Sequence, residues 1–95
     1  MMNLKTKQMV TVKRFSAVWC GPCRALAPVM NEIKTQFSGV KFEEYDVDIA
    51  YDEATKYGVR SVPTVIIERD GEEVERFTGV SSKMAYINAI NENLK

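Results

Sequence analysis

Four stretches of this chain carry the apolar pattern of strands, three carry that of helices, and the two kinds interleave. Val10, Val12 and Phe15 within residues 9–17 predict a strand whose apolar side chains point to both faces. Leu26, Val29, Met30, Ile33 and Phe37 then recur at the three- and four-residue spacing of one helix face, and Ser38-Gly39 predicts its end. Pro22 suits the first turn of that helix, where its missing amide hydrogen is not needed. Pro28 lies inside the helix and is expected to kink it. Residues 40–47, with Phe42, Tyr45 and Val47, read as a second strand. Residues 48–57 read as a short helix closed by Gly58 in the left-handed position. A buried strand follows over 64–68, centred on Val65-Ile66-Ile67. Asp70-Gly71 predicts a tight hairpin turn into a partner strand over 74–78, because both residues tolerate positive φ. A last helix, capped by Ser81 or Ser82, is expected to bury Met84, Ile87, Ile90 and Leu94.

The order β-α-β-α-β-β-α constrains topology. Two strands joined through a helix run parallel with a right-handed crossover, whereas the Asp-Gly turn forces an antiparallel pair. The expected fold is α/β, a four-stranded mixed sheet flanked by helices on both faces. The 95 residues make a single domain, 1–95, large enough for a modest core. Thirteen Lys and Arg balance thirteen Asp and Glu, so there is no basic footprint for nucleic acid or an anionic membrane. No apolar run approaches the ~20 residues that span a bilayer. Residues 1–8 carry charge with no hydrophobic stretch behind them, unlike a secretory signal. The expected compartment is the reducing cytoplasm, where a close cysteine pair is more often catalytic or metal-binding than structural.

The only two cysteines form Cys20-Gly21-Pro22-Cys23, preceded by Trp19 and placed between a strand and a helix. Thiols three positions apart on a helix are close enough for a disulfide. With Cys20 at the helix start, free backbone N–H groups and the positive end of the helix dipole would stabilise its thiolate, the species that attacks disulfides. The competing reading, half of a zinc site, needs four ligands, and the chain has no histidine and no second cysteine pair. Asp46 and Asp48 read as a strand end and a helix cap rather than metal ligands. Glu72, Glu73 and the lysines read as solvated faces.

With these residues in view the chain closely resembles the thioredoxin family. The matching motifs are Trp19-Cys20-Gly21-Pro22-Cys23, Pro28, Asp46-Val47-Asp48, Tyr57-Gly58-Val59, Ser61-Val62-Pro63-Thr64, Asp70-Gly71-Glu72 and Gly79-Val80, in order from about Val10 to the C-terminus. The resemblance implies the thioredoxin fold and a cytoplasmic protein-disulfide reductase, an electron carrier with no bound cofactor. Its reducing equivalents would come from NADPH through a thioredoxin-reductase-type flavoprotein. Disulfide-containing proteins, such as ribonucleotide reductase or a peroxidase, would be its substrates, and it would act as a monomer. Cys20 would be the exposed nucleophile and Cys23 the buried resolving thiol. Pro63 would be the family's cis-proline, turning the backbone of Val62 toward a substrate segment. Trp19, Gly21, Pro22, Val62, Pro63, Gly79 and Val80 would form a small flat apolar surface around Cys20.

Three features depart from the family pattern. The buried aspartate expected six residues before the first cysteine is Arg14 here, and its lysine partner is Glu44. The pair would then be swapped, with Glu44 the proton acceptor and Arg14 stabilising a nearby thiolate; the alternative is that both reach solvent at the sheet edge. Ser16 stands where a large aromatic is common. The family's first strand and helix are missing or reduced to residues 1–8. Two other functions remain open: a noncatalytic thioredoxin-fold binding subunit, and a glutathione-driven, glutaredoxin-like reductase for which Arg24 and Arg60 are the candidate anchors.

Overall fold

A computed structural model of the chain describes residues 9–95, so the expected reduction of a leading strand and helix to residues 1–8 lies outside the described residues. The elements are β1 (Val10–Ser16), α1 (Gly21–Gln36), β2 (Lys41–Asp46), α2 (Tyr51–Lys56), β3 (Thr64–Arg69), β4 (Glu72–Thr78) and α3 (Lys83–Asn93). The sheet order is β2-β1-β3-β4, with β1 parallel to β2 and antiparallel to β3, and β3 antiparallel to β4. The mixed sheet anticipated from element order is therefore the one formed.

Strand β1 is internal, and both its faces are covered. Val10 and Val12 meet Leu26, Met30 and Ile33 of α1 and Tyr86, Ile87 and Ile90 of α3, together with Val65 and Ile67 of β3. Phe15 and Ile66 point the other way and pack on Ala54 of α2, with Tyr45 and Tyr57 around them. A strand buried on both sides loses simple alternation, which is why β1 reads as mixed. Its burial extends to Lys13 and Arg14, each 8% exposed.

Lys13 corrects the expectation that the lysines are solvated. Its Nζ lies 2.8 Å from Glu43 Oε1 and 3.9 Å from Glu68 Oε1, and 5.3 Å from the ring centres of both Tyr45 and Tyr57. Tyr45 also donates to Glu43, at 2.6 Å, and Tyr57 donates to Glu68. Every buried polar group here has a partner, so the ammonium is tolerated. The six-residue α2 is too short to cover this face with apolar side chains alone.

Two local expectations change, those for α3 and α2. Helix α1 runs from Gly21 to Gln36 through Pro28, whose missing N–H leaves the carbonyl of Arg24 free on the exposed side of the helix. It stops at a Phe37 cap, just before Ser38-Gly39. In α3, Met84 and Leu94 are 56% and 41% exposed, and Tyr86 is fully buried instead, stacked edge-on against Phe77 with its hydroxyl accepting the Ser81 N–H. A helix starting at Ser82 turns the 84 and 94 positions outward, and the hydroxyl of tyrosine hides its value as a core residue. The short helix is Tyr51–Lys56 rather than 48–57, because the backbone of 48–50 is held by Asp46 in a turn.

The punctuation is as expected elsewhere. Asp70 and Gly71 have φ of 55° and 87°, the two positive values of a two-residue hairpin loop, and Gly58 has φ of 64°. Ser82 caps α3 by accepting the Ala85 N–H at 3.1 Å.

Two stability predictions follow from these contacts. Hydrogen bonds from Lys13 and Tyr45 hold the Glu43 carboxyl at about 2, below its ordinary 4.5. The ionised form therefore stabilises the fold fully above pH 4.5, and that contribution disappears as pH falls toward 2. Glu43→Gln is expected to cost roughly 1 kcal/mol at neutral pH and to flatten the acid slope, read by urea unfolding across that range. Ser82→Ala is expected to cost about 1 kcal/mol by the same measurement, through loss of the α3 cap.

Candidate functional site

The loop after β1 delivers Trp19 and Cys20 to the start of α1. Cys20 is the N-cap of that helix, in extended conformation at φ −94° and ψ 108°, with Pro22 in the first turn. Extended backbone at the cap lets its side chain fold back over the helix end, where Sγ accepts the Cys23 N–H at 3.2 Å. Cys20 and Cys23 are joined as a disulfide with Cα atoms 5.3 Å apart. No acidic residue lies in the first turn of α1 to oppose a thiolate there.

Burial corrects one expectation. In this disulfide form Cys20 is 5% exposed and Cys23 3%, so both sulfurs are covered and the anticipated contrast is absent. Cys20 Sγ is turned inward, under the helix N–H groups and 3.8 Å from the Val62 carbonyl oxygen. Exposure belongs to the surroundings: Trp19 is 66% and Val80 56% exposed, and Gly21 and Pro22 are also open.

The Val62–Pro63 bond is cis. Val62 packs with Ala17, Cys20 and Cys23, placing its backbone beside the disulfide. Pro63 is itself buried, so it reaches the surface through its neighbours and not as a contact of its own. Its carbonyl accepts the Gly79 N–H at 2.8 Å, which brings the Gly79-Val80 segment alongside. Gly79 has φ of 88°, a conformation that a side chain would strain. The residues expected around Cys20 are thus linked in space.

Trp19 is fixed by Asp48, a residue expected to cap the short helix; that helix has Ala50 at its N-cap and no side-chain cap. The Trp19 Nε1–H donates to Asp48 Oδ2 at 2.9 Å. The Asp46-Val47-Asp48 motif carried that signal, but nothing in its spacing pointed to the indole. A hollow of about 150 Å³ lies beside Trp19, lined also by Val47, Val59, Arg60, Ser61 and Val62. Arg24, the other candidate anchor for glutathione, donates to the Val18 carbonyl at 2.7 Å.

Arg14 and Glu44 sit opposite each other in the β1–β2 register and pair at 3.1 Å. They do not both reach solvent: the Arg14 side chain is 10% exposed and that of Glu44 60%, since β1 is internal and β2 an edge. An open cleft of about 450 Å³ joins Arg14, Ser16, Glu44 and Asp46 to Cys23 and Arg24. The small Ser16, buried where a large aromatic is usual, is among its walls. Among the described residues no cluster of His, Cys, Asp or Glu could hold a metal ion.

Comparison with known proteins agrees with this arrangement. The family model described as Thioredoxin matches residues 2–92, further toward the N-terminus than the motifs reach. The chain is 38% identical to thioredoxin of Bacillus subtilis over 93 residues, covering 97% of this chain and 89% of that protein. It is 39% identical to thioredoxin of Chlamydia caviae, covering 83% and 78%. Among solved structures, a thioredoxin from Nicotiana alata superposes with a TM-score of 0.87 at 33% identity, covering 96% of this chain and 77% of that one. A mutant thioredoxin from Halobacterium salinarum superposes with a TM-score of 0.85 at 36% identity, covering 90% and 75%. A cysteine pair closed at a helix N-terminus, beside a cis-proline and inside this fold, performs dithiol–disulfide exchange, and the chain belongs to the thioredoxin family of protein-disulfide oxidoreductases.

Proposed function

We propose that this chain is a cytoplasmic electron carrier that reduces protein disulfides, acts as a monomer, and is recharged by NADPH through a thioredoxin-reductase-type flavoprotein. The observation that carries the proposal is the placement of the Cys20 sulfur at the N-terminus of α1, where the Cys23 N–H already points at it. In the reduced protein the same donor and the helix dipole favour a thiolate on Cys20. That thiolate attacks one sulfur of a substrate disulfide, forming a Cys20–substrate bond and releasing the other substrate sulfur as a thiolate. Cys23 loses its proton and attacks Cys20 Sγ. The Cys20–Cys23 bond forms, the second substrate thiolate leaves, and two electrons have passed to the substrate.

The substrate backbone is held, in this reading, against Val62 as a short added strand, with Trp19, Gly21, Pro22, Gly79 and Val80 around it and Pro63 setting the backbone from beneath. Glu44 accepts the Cys23 proton through the cleft they share, and Arg14 stabilises the resulting thiolate. Support for these roles is the common cleft and the burial of Arg14 against a partner that is itself open to water. A cysteine pair used for reduction fits a compartment that keeps thiols reduced.

An insulin-type disulfide reduction assay separates carrier from binder. Cys20→Ser is expected to abolish turnover, and Cys23→Ser to stop it with a mixed disulfide accumulating on Cys20; turnover in the first variant would contradict the mechanism. Supplying electrons by NADPH with a thioredoxin reductase, or by glutathione, identifies the recharging system, and the first is expected to be the efficient one. Glu44→Gln is expected to slow the reaction and change its pH profile. Rates unchanged across pH would make Arg14–Glu44 a structural pair only.

A further inference from the structure

Nine large apolar side chains are exposed among the described residues, and six of them gather at one end of the sheet. Strands β1, β2 and β4 run in the same direction, so the loops that follow them meet there. Val18 and Trp19 follow β1, Ile49 and Tyr51 follow β2, and Val80 and Met84 follow β4. Exchange at Cys20 accounts for Trp19 and Val80. It does not account for Ile49 and Tyr51, which are 83% and 70% exposed.

The loop that carries these two side chains is built, not slack. Asp46 accepts the Asp48 N–H on its side chain at 2.9 Å and the Ile49 and Ala50 N–H groups on its carbonyl at 3.0 and 2.7 Å. Asp48 holds Trp19 at 2.9 Å, so the loop is tied to the exchange site. Side chains displayed on a fixed backbone lose little further freedom when a partner covers them. The segment itself is acidic: residues 46–53 include Asp46, Asp48, Asp52 and Glu53 and no Lys or Arg, and these four make no ion pair among the described residues, while Arg60 lines the hollow beside Trp19.

We propose that the β2–α2 loop is a second docking element for protein substrates, with Ile49 and Tyr51 receiving an apolar side chain flanked by Lys or Arg close to the substrate disulfide. The proposal rests on disulfide exchange at Cys20 and extends that site on one side. Charge selects the occupant. A second copy meeting this face across a twofold axis would set these four carboxylates against themselves, whereas a basic partner neutralises them.

Three probes test it: two peptides each closed by one disulfide, and the small disulfide 5,5′-dithiobis(2-nitrobenzoic acid). Both peptides carry two Lys beside a cysteine, and one has Leu where the other has Ser. The unaltered protein is expected to reduce the Leu peptide with a kcat/KM about tenfold higher, the size of effect that burying one apolar side chain produces. The double variant Ile49→Ser with Tyr51→Ser is expected to lose most of that preference through KM, with kcat and reduction of the small disulfide unchanged. Equal rates on the two peptides, or a preference that survives the double substitution, would overturn the proposal. So would a dimer of the unaltered protein that the double variant dissolves, since the occupant would then be a second copy. Failure of the unaltered protein on the small disulfide is a different result, which removes the exchange chemistry itself.

Discussion

The first turn of α1 has amide hydrogens that no carbonyl within the helix can reach, and it meets this need with a cysteine sulfur where other helices use an oxygen. Cap and nucleophile are the same atom. The arrangement fixes where the chain must bend from strand to helix and why Cys23 sits one turn on. It is also consistent with the absence of any acidic side chain in that turn. Backbone dipoles provide the electrostatics, so the chemistry needs no histidine or metal beside the sulfur.

The rest of the molecule holds that turn still. Strand β1 runs through the centre of the sheet with helices on both sides, and its end projects Trp19 and Cys20 beyond the core. The cis Val62–Pro63 segment comes in at the head of β3, next to β1, and its carbonyl takes the Gly79 N–H from the strand beyond. Three neighbouring strands therefore each contribute one edge of the site. The covered sulfurs in the oxidised form belong to the same design, because the disulfide closes inward over the helix end while the partner-facing surface stays open.

Much of this was legible in the residues. Hydrophobic period, the Asp70-Gly71 turn and the Ser82 cap were enough for element order and the mixed sheet. The cysteine spacing with Trp19 and Ser-Val-Pro-Thr located the site. What escaped was set by contacts between distant residues. Lys13 reads as a surface lysine until Glu43, Glu68 and two tyrosines are seen to enclose it. Met84 and Tyr86 exchange places because the start of α3 decides which side turns inward. Asp48 gives no local sign that it holds an indole from another loop. Arg14 and Glu44 could be paired on paper, but only strand order tells that one is enclosed and the other open.

The account depends on helix α1 favouring charge on one particular sulfur. Alkylation of the fully reduced protein by iodoacetamide, followed against pH with the modified residue identified, measures this directly. The account predicts that Cys20 reacts first and still reacts well below the range in which a free cysteine titrates, about 8.5. Cys20 that reacts no faster than a free thiol, or no faster than Cys23, would contradict it.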